Sequence, residues 1–185
     1  AMLWASDLNA ELKDAESQTL RIDATDFKKL PNINSIGSLD LSSILEISDK
    51  ELKHLQQFVA LKHLNIAHTP IKTLPVLAEL TQLTTLDVSA TKIHDLTFLS
   101  SLKNLQQLNL AQVKFNSQTF DALSELESLQ SLDLSYTEVD RFALPELRLL
   151  KSLKHLNLTG VNIPESDIQS LREKMPQCTI QFSAP

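Results

Sequence analysis

The sequence predicts an α/β solenoid, with a curved parallel sheet on the concave face and short helices or 3₁₀ segments on the convex face. Three observations carry this. Leucine occurs 36 times in 185 residues, while glycine occurs only twice. The leucines recur in an LxxLxL frame: Leu61-Leu64-Ile66, Leu83-Leu86-Val88, Leu105-Leu108-Leu110, Leu129-Leu132-Leu134 and Leu153-Leu156-Leu158. The steps between the first leucines are 22, 22, 24 and 24 residues. A small or branched residue then recurs three positions after each LxL, as at Thr69, Thr91, Val113, Thr137 and Val161. A second apolar residue follows it, as at Ile71, Ile93, Phe115, Val139 and Ile163. Heptads do not give such a period, which sets aside an amphipathic helical bundle.

The elements follow in order. Residues 1–16 place Leu3, Trp4, Leu8 and Leu12 at helical spacing, which predicts an N-terminal capping helix with Trp4 against the first repeat. Residues 17–182 form the repeat domain. A degenerate unit with Leu20 and Ile22 comes first, then Ile36-Leu39-Leu41. The stretch LDLSSILEIS carries one extra residue, so Ile47 takes the second apolar role there. In each unit LxL alternates like a strand with one apolar face. Runs such as HDLTFLSSLKNL, with leucines three apart, suit a short 3₁₀ or helical segment on the opposite side. Pro164 and Ser166 start a helix over 165–174, and Pro176 stops it. A strand over 177–182 closes the domain, with Met175, Cys178 and Ile180 filling the frame. Residues 183–185 are a tail. The count is about seven repeats plus a terminal strand. One unit cannot bury its leucines alone, so neighbours stack at about 4.8 Å into a solenoid about 34 Å long.

Composition narrows the function. Hydrophobic residues make up 42% and charged residues 22%, which is globular. The net charge of −6 disfavours nucleic acid as a partner. A single cysteine cannot form an intramolecular disulfide, and no Cys/His cluster has zinc spacing. No apolar run is long enough to span a membrane. The N-terminus has neither the basic start nor the apolar core of a secretory signal. The native address stays open; the lack of disulfide caps leans slightly towards the cytoplasm, with periplasmic or secreted settings remaining.

The repeats resemble those of bacterial leucine-rich repeat proteins over about 17–182. LTQLTTLDVSATKIHDLTFLSSLKN and LKHLNIAHTPIKTLPVLAEL are similar to the 22-residue internalin-like type. The units ending in DALSELES and IPESDIQSLREKMPQC are similar to a longer, 24-residue bacterial type. The resemblance implies that Cys178 is an inward, buried residue of the closing unit. The chain departs from the family where Asn or Cys usually stands, carrying Thr, Val or Ile instead. That Asn bonds backbone between neighbouring repeats. The hydroxyls of Thr69, Thr91 and Thr137 can stand in for part of this, whereas Val113, Val161 and Ile44 cannot.

The concave face holds the candidate residues. Before the second Leu stand His63, Thr85, Gln107, Ser131, His155 and Gln177. Within LxL stand Asp40, Asn65, Asp87, Asn109, Asp133 and Asn157. Two to three places later come Ser89, His68, Gln112, Tyr136 and Gly160. The Asp/Asn column reads either as a track of acceptors for a polar or basic ligand or as a self-satisfied ladder. Its aspartates are about 10 Å apart, too far to converge on calcium. His63 and His155, roughly 19 Å apart, cannot share a metal. Ser89, His68 and Asp87 could come near one another, but an open sheet offers no oxyanion hole. The chain therefore reads as a non-enzyme with no cofactor and no metal. The candidate partner-binding residues are His63, His68, Thr85, Asp87, Gln107, Asn109, Gln112, Asp133, Tyr136 and His155. Tyr136, with Gln112 and His68, forms the leading patch, because tyrosine combines apolar area with a hydroxyl. The expected function is protein–protein interaction through the concave face of a monomer. The alternative is an accessory domain of a larger protein whose concave face binds nothing.

Overall fold

A computed structural model describes residues 20–21 and 33–185. The expected capping helix over 1–16, including Trp4, lies outside these residues. So do Ile22 and the first repeat's turn residues.

Eight strands form one parallel sheet in sequence order: β1 (Leu20–Arg21), β2 (Ser38–Asp40), β3 (His63–Asn65), β4 (Thr85–Asp87), β5 (Gln107–Asn109), β6 (Ser131–Asp133), β7 (His155–Asn157) and β8 (Thr179–Gln181). Register is constant, because the middle leucine of each strand must face the core. Leu39, Leu64, Leu86, Leu108, Leu132 and Leu156 stand opposite one another in one buried row. A one-residue slip would turn that row outwards.

The ladder extends beyond the three-residue strands at both ends. Ahead of β3, the Lys62 and His63 N–H groups both donate to Gly37 O, at 2.8 and 3.0 Å. Lys62, Thr84, Gln106 and Gln130 repeat this double acceptor in turn. Past the strands, Ile66 donates to Asp87 O, and His68 to Ser89 O, both at 2.9 Å. The same two steps recur in each later repeat. The short strands therefore leave few backbone groups unpaired.

The core lies between the sheet and the convex segments. The first and third leucines, Ile71, Ile93 and Val139, and the convex Leu77, Leu99, Leu123 and Leu147 are buried in it. Convex segments differ by unit. The two 22-residue units use five-residue 3₁₀ turns, Pro75–Glu79 and Thr97–Ser101. The longer units use α-helix: Asp49–Leu52, Gln118–Ser124, Leu144–Leu147 and Glu165–Lys174. The last helix has the expected bounds.

Two expectations need correction. The closing unit sits two residues off the frame drawn from Met175, Cys178 and Ile180, since Leu156 pairs with Ile180 and His155 with Thr179. Cys178 matches Leu153 instead. Its N–H donates to Met175 O at 2.9 Å, as that of Leu153 does to Leu150 O at 3.2 Å. The reason is a missing residue: Leu153 to Leu156 is three steps, but Cys178 to Ile180 is two. Accordingly Lys154 O accepts from Thr179 alone, where the other rungs accept twice. Gln177 thus precedes the strand, and Gln181 joins the Asp/Asn column. The threonines are the second correction. Thr69, Thr91 and Thr137 donate to Ile66, Val88 and Leu134 O at 2.7, 2.7 and 2.6 Å. These bonds close each repeat's own turn and do not reach its neighbour.

Candidate functional site

The middle column of the sheet is bonded into the fold. Each Asp or Asn side chain accepts from the backbone N–H two residues on, folding the chain out of the strand in an Asx-type turn. The six distances, from Asp40 to Asn157, run 2.9, 2.9, 2.9, 3.0, 2.8 and 3.0 Å. The second oxygen of Asp87 accepts from the Asn109 amide at 3.0 Å, and that of Asp133 from Asn157 at 2.9 Å. Asp and Asn alternate because a carboxylate only accepts, whereas an amide both accepts and donates. Asp87 and Asp133 are thus each held by one flanking Asn, the one in the following repeat. Asp87, Asn109 and Asp133 are half-buried.

Ser89, His68 and Asp87 do come close, but in another arrangement than a catalytic relay. The Ser89 hydroxyl donates to Asp87 Oδ1 at 2.7 Å, and His68 meets Ser89 through its backbone N–H. Ser135 bonds Asp133 in the same way at 2.6 Å.

The residues just before the middle leucines are more open. His63, Gln107 and His155 are exposed, and Thr85 is half-buried. They share one row through the strand register, His63 beside Thr85 beside Gln107. With the aspartates one position further along, the face is polar and mildly acidic. Among the described residues, no group of three His, Cys, Asp or Glu is placed to hold a metal ion. No helix among them is long and apolar enough to cross a membrane. Cys178 is buried, and its burial pushes the thiol up to about 11. That keeps it protonated and weakly nucleophilic near neutrality.

His68, Gln112 and Tyr136 do not lie on the strands. They sit three residues past the strand ends, with φ of 58°, 60° and 55°. Ser43, Ala90 and Gly160 complete this left-handed column at 62°, 53° and 71°. Only Gly160 adopts the conformation without a Cβ penalty. It is also where the Tyr136 ring rests, since a Cβ on Gly160 would come within 2.4 Å of Tyr136 Cδ1. Tyr136 is therefore laid flat over the next turn, yet 62% exposed. With Gln112, Val113, Lys114, Thr137 and Glu138 it lines a shallow hollow at the rim. The sequence periodicity ran these positions together with the strand columns, although the chain has already turned by then.

A family model described as "Leucine-rich repeat region" matches residues 21–182. The chain belongs to the leucine-rich repeat family. A search of curated proteins finds no match. Among solved structures, internalin C2 of Listeria monocytogenes is similar at 21% identity, over 86% of this chain and 84% of that one, with a TM-score of 0.65. A leucine-rich repeat protein of Leptospira interrogans is 28% identical over 80% of this chain and 36% of its own, with a TM-score of 0.60. A second internalin of Listeria monocytogenes is 16% identical over 99% of this chain and 64% of its own, with a TM-score of 0.59. The chain thus spans well under the full length of two of these three. They are all bacterial leucine-rich repeat proteins, as the 22-residue units suggested. The leucine-rich repeat fold commonly mediates protein–protein interaction and is typically non-enzymatic.

Proposed function

We propose that the concave face of this leucine-rich repeat domain docks another protein. The observation that supports it most is the division of labour between neighbouring columns. The Asp/Asn column is committed to turns and to its own amide–carboxylate bonds, which makes the sheet a rigid platform. The row of exposed His63, Gln107 and His155, with half-buried Thr85, stands beside it. Tyr136, Gln112 and His68 extend the surface past the strand ends. A preformed, ordered face lowers the entropy cost of docking. Its mild acidity suits a polar or basic partner surface. Asp87, Asn109 and Asp133 would act mainly as frame and tint the charge.

The test is an affinity capture from cells of the source organism, comparing the wild type with a variant carrying H68A, Q112A, Y136A, T85K and Q107K. Alanine suits the left-handed turn, because Ala90 already holds that conformation. A partner held by the wild type and lost from a folded variant supports concave docking. Equal capture by both overturns it. The accessory-domain reading is favoured by one observation, the bonding of Asp87 to Asn109 and Asp133 to Asn157, which leaves less of the central column for a ligand. Equal capture would move weight to that reading.

A further inference from the structure

An aromatic-lined groove lies off the concave face, on the flank between the units of β5 and β6. It is half-open, with a volume of about 450 Å³. Phe115, Phe120 and Phe142 line it, three of the chain's seven phenylalanines. Phe115 and Phe120 meet edge to face, with centroids 5.9 Å apart and planes at 74°. Phe142 is 80% exposed, the most open large hydrophobic side chain among the described residues.

Carboxylates rim these rings: Asp121, Glu138, Asp140 and Glu146. Two of them are engaged. Glu138 pairs with Lys114 at 3.0 Å, and Asp140 accepts from the Phe142 N–H at 2.9 Å. Asp121 and Glu146 have no side-chain partner among the described residues. No lysine or arginine lines the groove, and the adjacent Arg141 turns away to Asp167 at 3.2 Å. Aromatic faces and unpaired carboxylates attract the same thing, a cation carried on an apolar stem. A guanidinium can stack on a ring while bonding a carboxylate.

We propose that this groove binds a segment of a partner protein that presents an arginine or lysine next to an apolar side chain. The apolar residue fills the space over Phe142, and the cation meets Asp121 and Glu146. A nucleic acid or an anionic lipid surface would meet the wrong charge. A second copy of this chain carries a net −6 and would be repelled on approach. The proposal does not depend on the concave-face reading, since none of its residues lies on a strand.

The experiment selects binders from a random peptide display library on the wild-type chain. It then measures the chosen synthetic peptides against F142S, D121N/E146Q and the concave variant T85K/Q107K. All the substituted side chains are exposed or half-buried, so the fold is kept, and circular dichroism checks it. Peptides with Arg or Lys beside an apolar residue should be enriched. Their binding should fall at least about tenfold in both groove variants, weaken with salt, and survive in the concave variant. Several results would overturn the groove proposal: no enriched peptide, enriched peptides without a cation, or equal binding to F142S and wild type. A wild type that dimerises through this surface, with F142S monomeric in sedimentation, would also overturn it by making a second copy the occupant. Loss of binding in T85K/Q107K alone would instead favour the concave face.

Discussion

The 22-residue units and the longer ones share a sheet but differ on the convex side. Between Leu61 and Leu105 each return path is a five-residue 3₁₀ turn. From Leu105 onwards it contains α-helix, seven residues at Gln118–Ser124 and ten at Glu165–Lys174. An α-helix rises about 1.5 Å per residue and a 3₁₀-helix about 2.0 Å, so the wider helix takes up extra chain over the same height. Strand length and register do not change across the boundary. Length variation is thus absorbed on the convex side, and the sheet is insulated from it. The cost is unevenness outside: the aromatic groove lies between two of the longer units.

The largest effect should be the same in both regions, which tests whether the core is continuous. Leu99 backs a 3₁₀ turn and Leu147 a helix, and both are fully buried. L99A and L147A should each cost about 2–5 kcal/mol, read from urea unfolding. A cost below about 1 kcal/mol for either would mean that its convex layer is not packed as one core with the sheet.

The column of left-handed turns gives the next test. G160A adds a Cβ where φ is 71° and where the Tyr136 ring already lies. The expected loss is about 1–3 kcal/mol. Y136A should be close to neutral alone and should recover part of the G160A loss in the double variant. The remainder is the backbone cost that Ala90 and Gln112 already carry in the other units. Strictly additive losses would show that ring and turn do not interact.

The sequence made the sheet legible for a simple reason. Strand side chains repeat every two residues and units every 22 or 24, so Leu64, Leu86, Leu108 and Leu132 identify both face and register. The bounds of β2 to β7 follow from that frame. The frame fails at Cys178, where one residue is missing and no leucine marks the loss. The candidate site was less legible. Position in a column does not reveal that Gln112 and Tyr136 are left-handed, because only Gly160 announces such a turn by its identity. Nor does a column show that Asp87 is taken up by Ser89 and Asn109. The groove was missed because Phe115 reads as a core position and Phe142 stands outside the repeat frame. The signal present was the two-residue lengthening together with clustered phenylalanines, and it points to a surface only once the units are stacked.

A smaller effect of opposite sign belongs to the helical region. Thr119 is 1% exposed, and its hydroxyl has no hydrogen-bond partner among the described residues. Burying a lone hydroxyl costs about 1–3 kcal/mol. T119V keeps the shape and removes the polar atom, so it should be neutral to stabilising by about 1 kcal/mol. The threonines of the 3₁₀ units behave differently: T91V breaks the bond to Val88 O and should destabilise by about 1 kcal/mol. Equal effects from T91V and T119V would mean that a partner for Thr119 exists.

The smallest expected effect is acid sensitivity, and it separates the units once more. Burial raises the Asp49 carboxyl, but hydrogen bonds from the Lys72 N–H and the Thr73 hydroxyl and backbone outweigh it, and the charge of Lys72 adds to them, holding it below the usual aspartate value. Asp95 is also held low, first by the Thr97 hydroxyl and then by its N–H, at 2.7 and 3.0 Å. A carboxyl depressed on folding stabilises the fold above its unfolded pKa and loses that contribution as pH falls through its folded pKa. Asp49 ties the preceding unit to the first 22-residue unit, and Asp95 closes the turn before the 3₁₀ segment of the second. Stability should therefore decline below about pH 4, near the ordinary aspartate value. D49N and D95N should each flatten that decline when Tm is followed from pH 5 to pH 2.5. An unchanged slope in both would place the acid-sensitive groups in the longer units, where Glu51 and Glu125 are also held low by hydrogen bonds from Ser48 and Lys103.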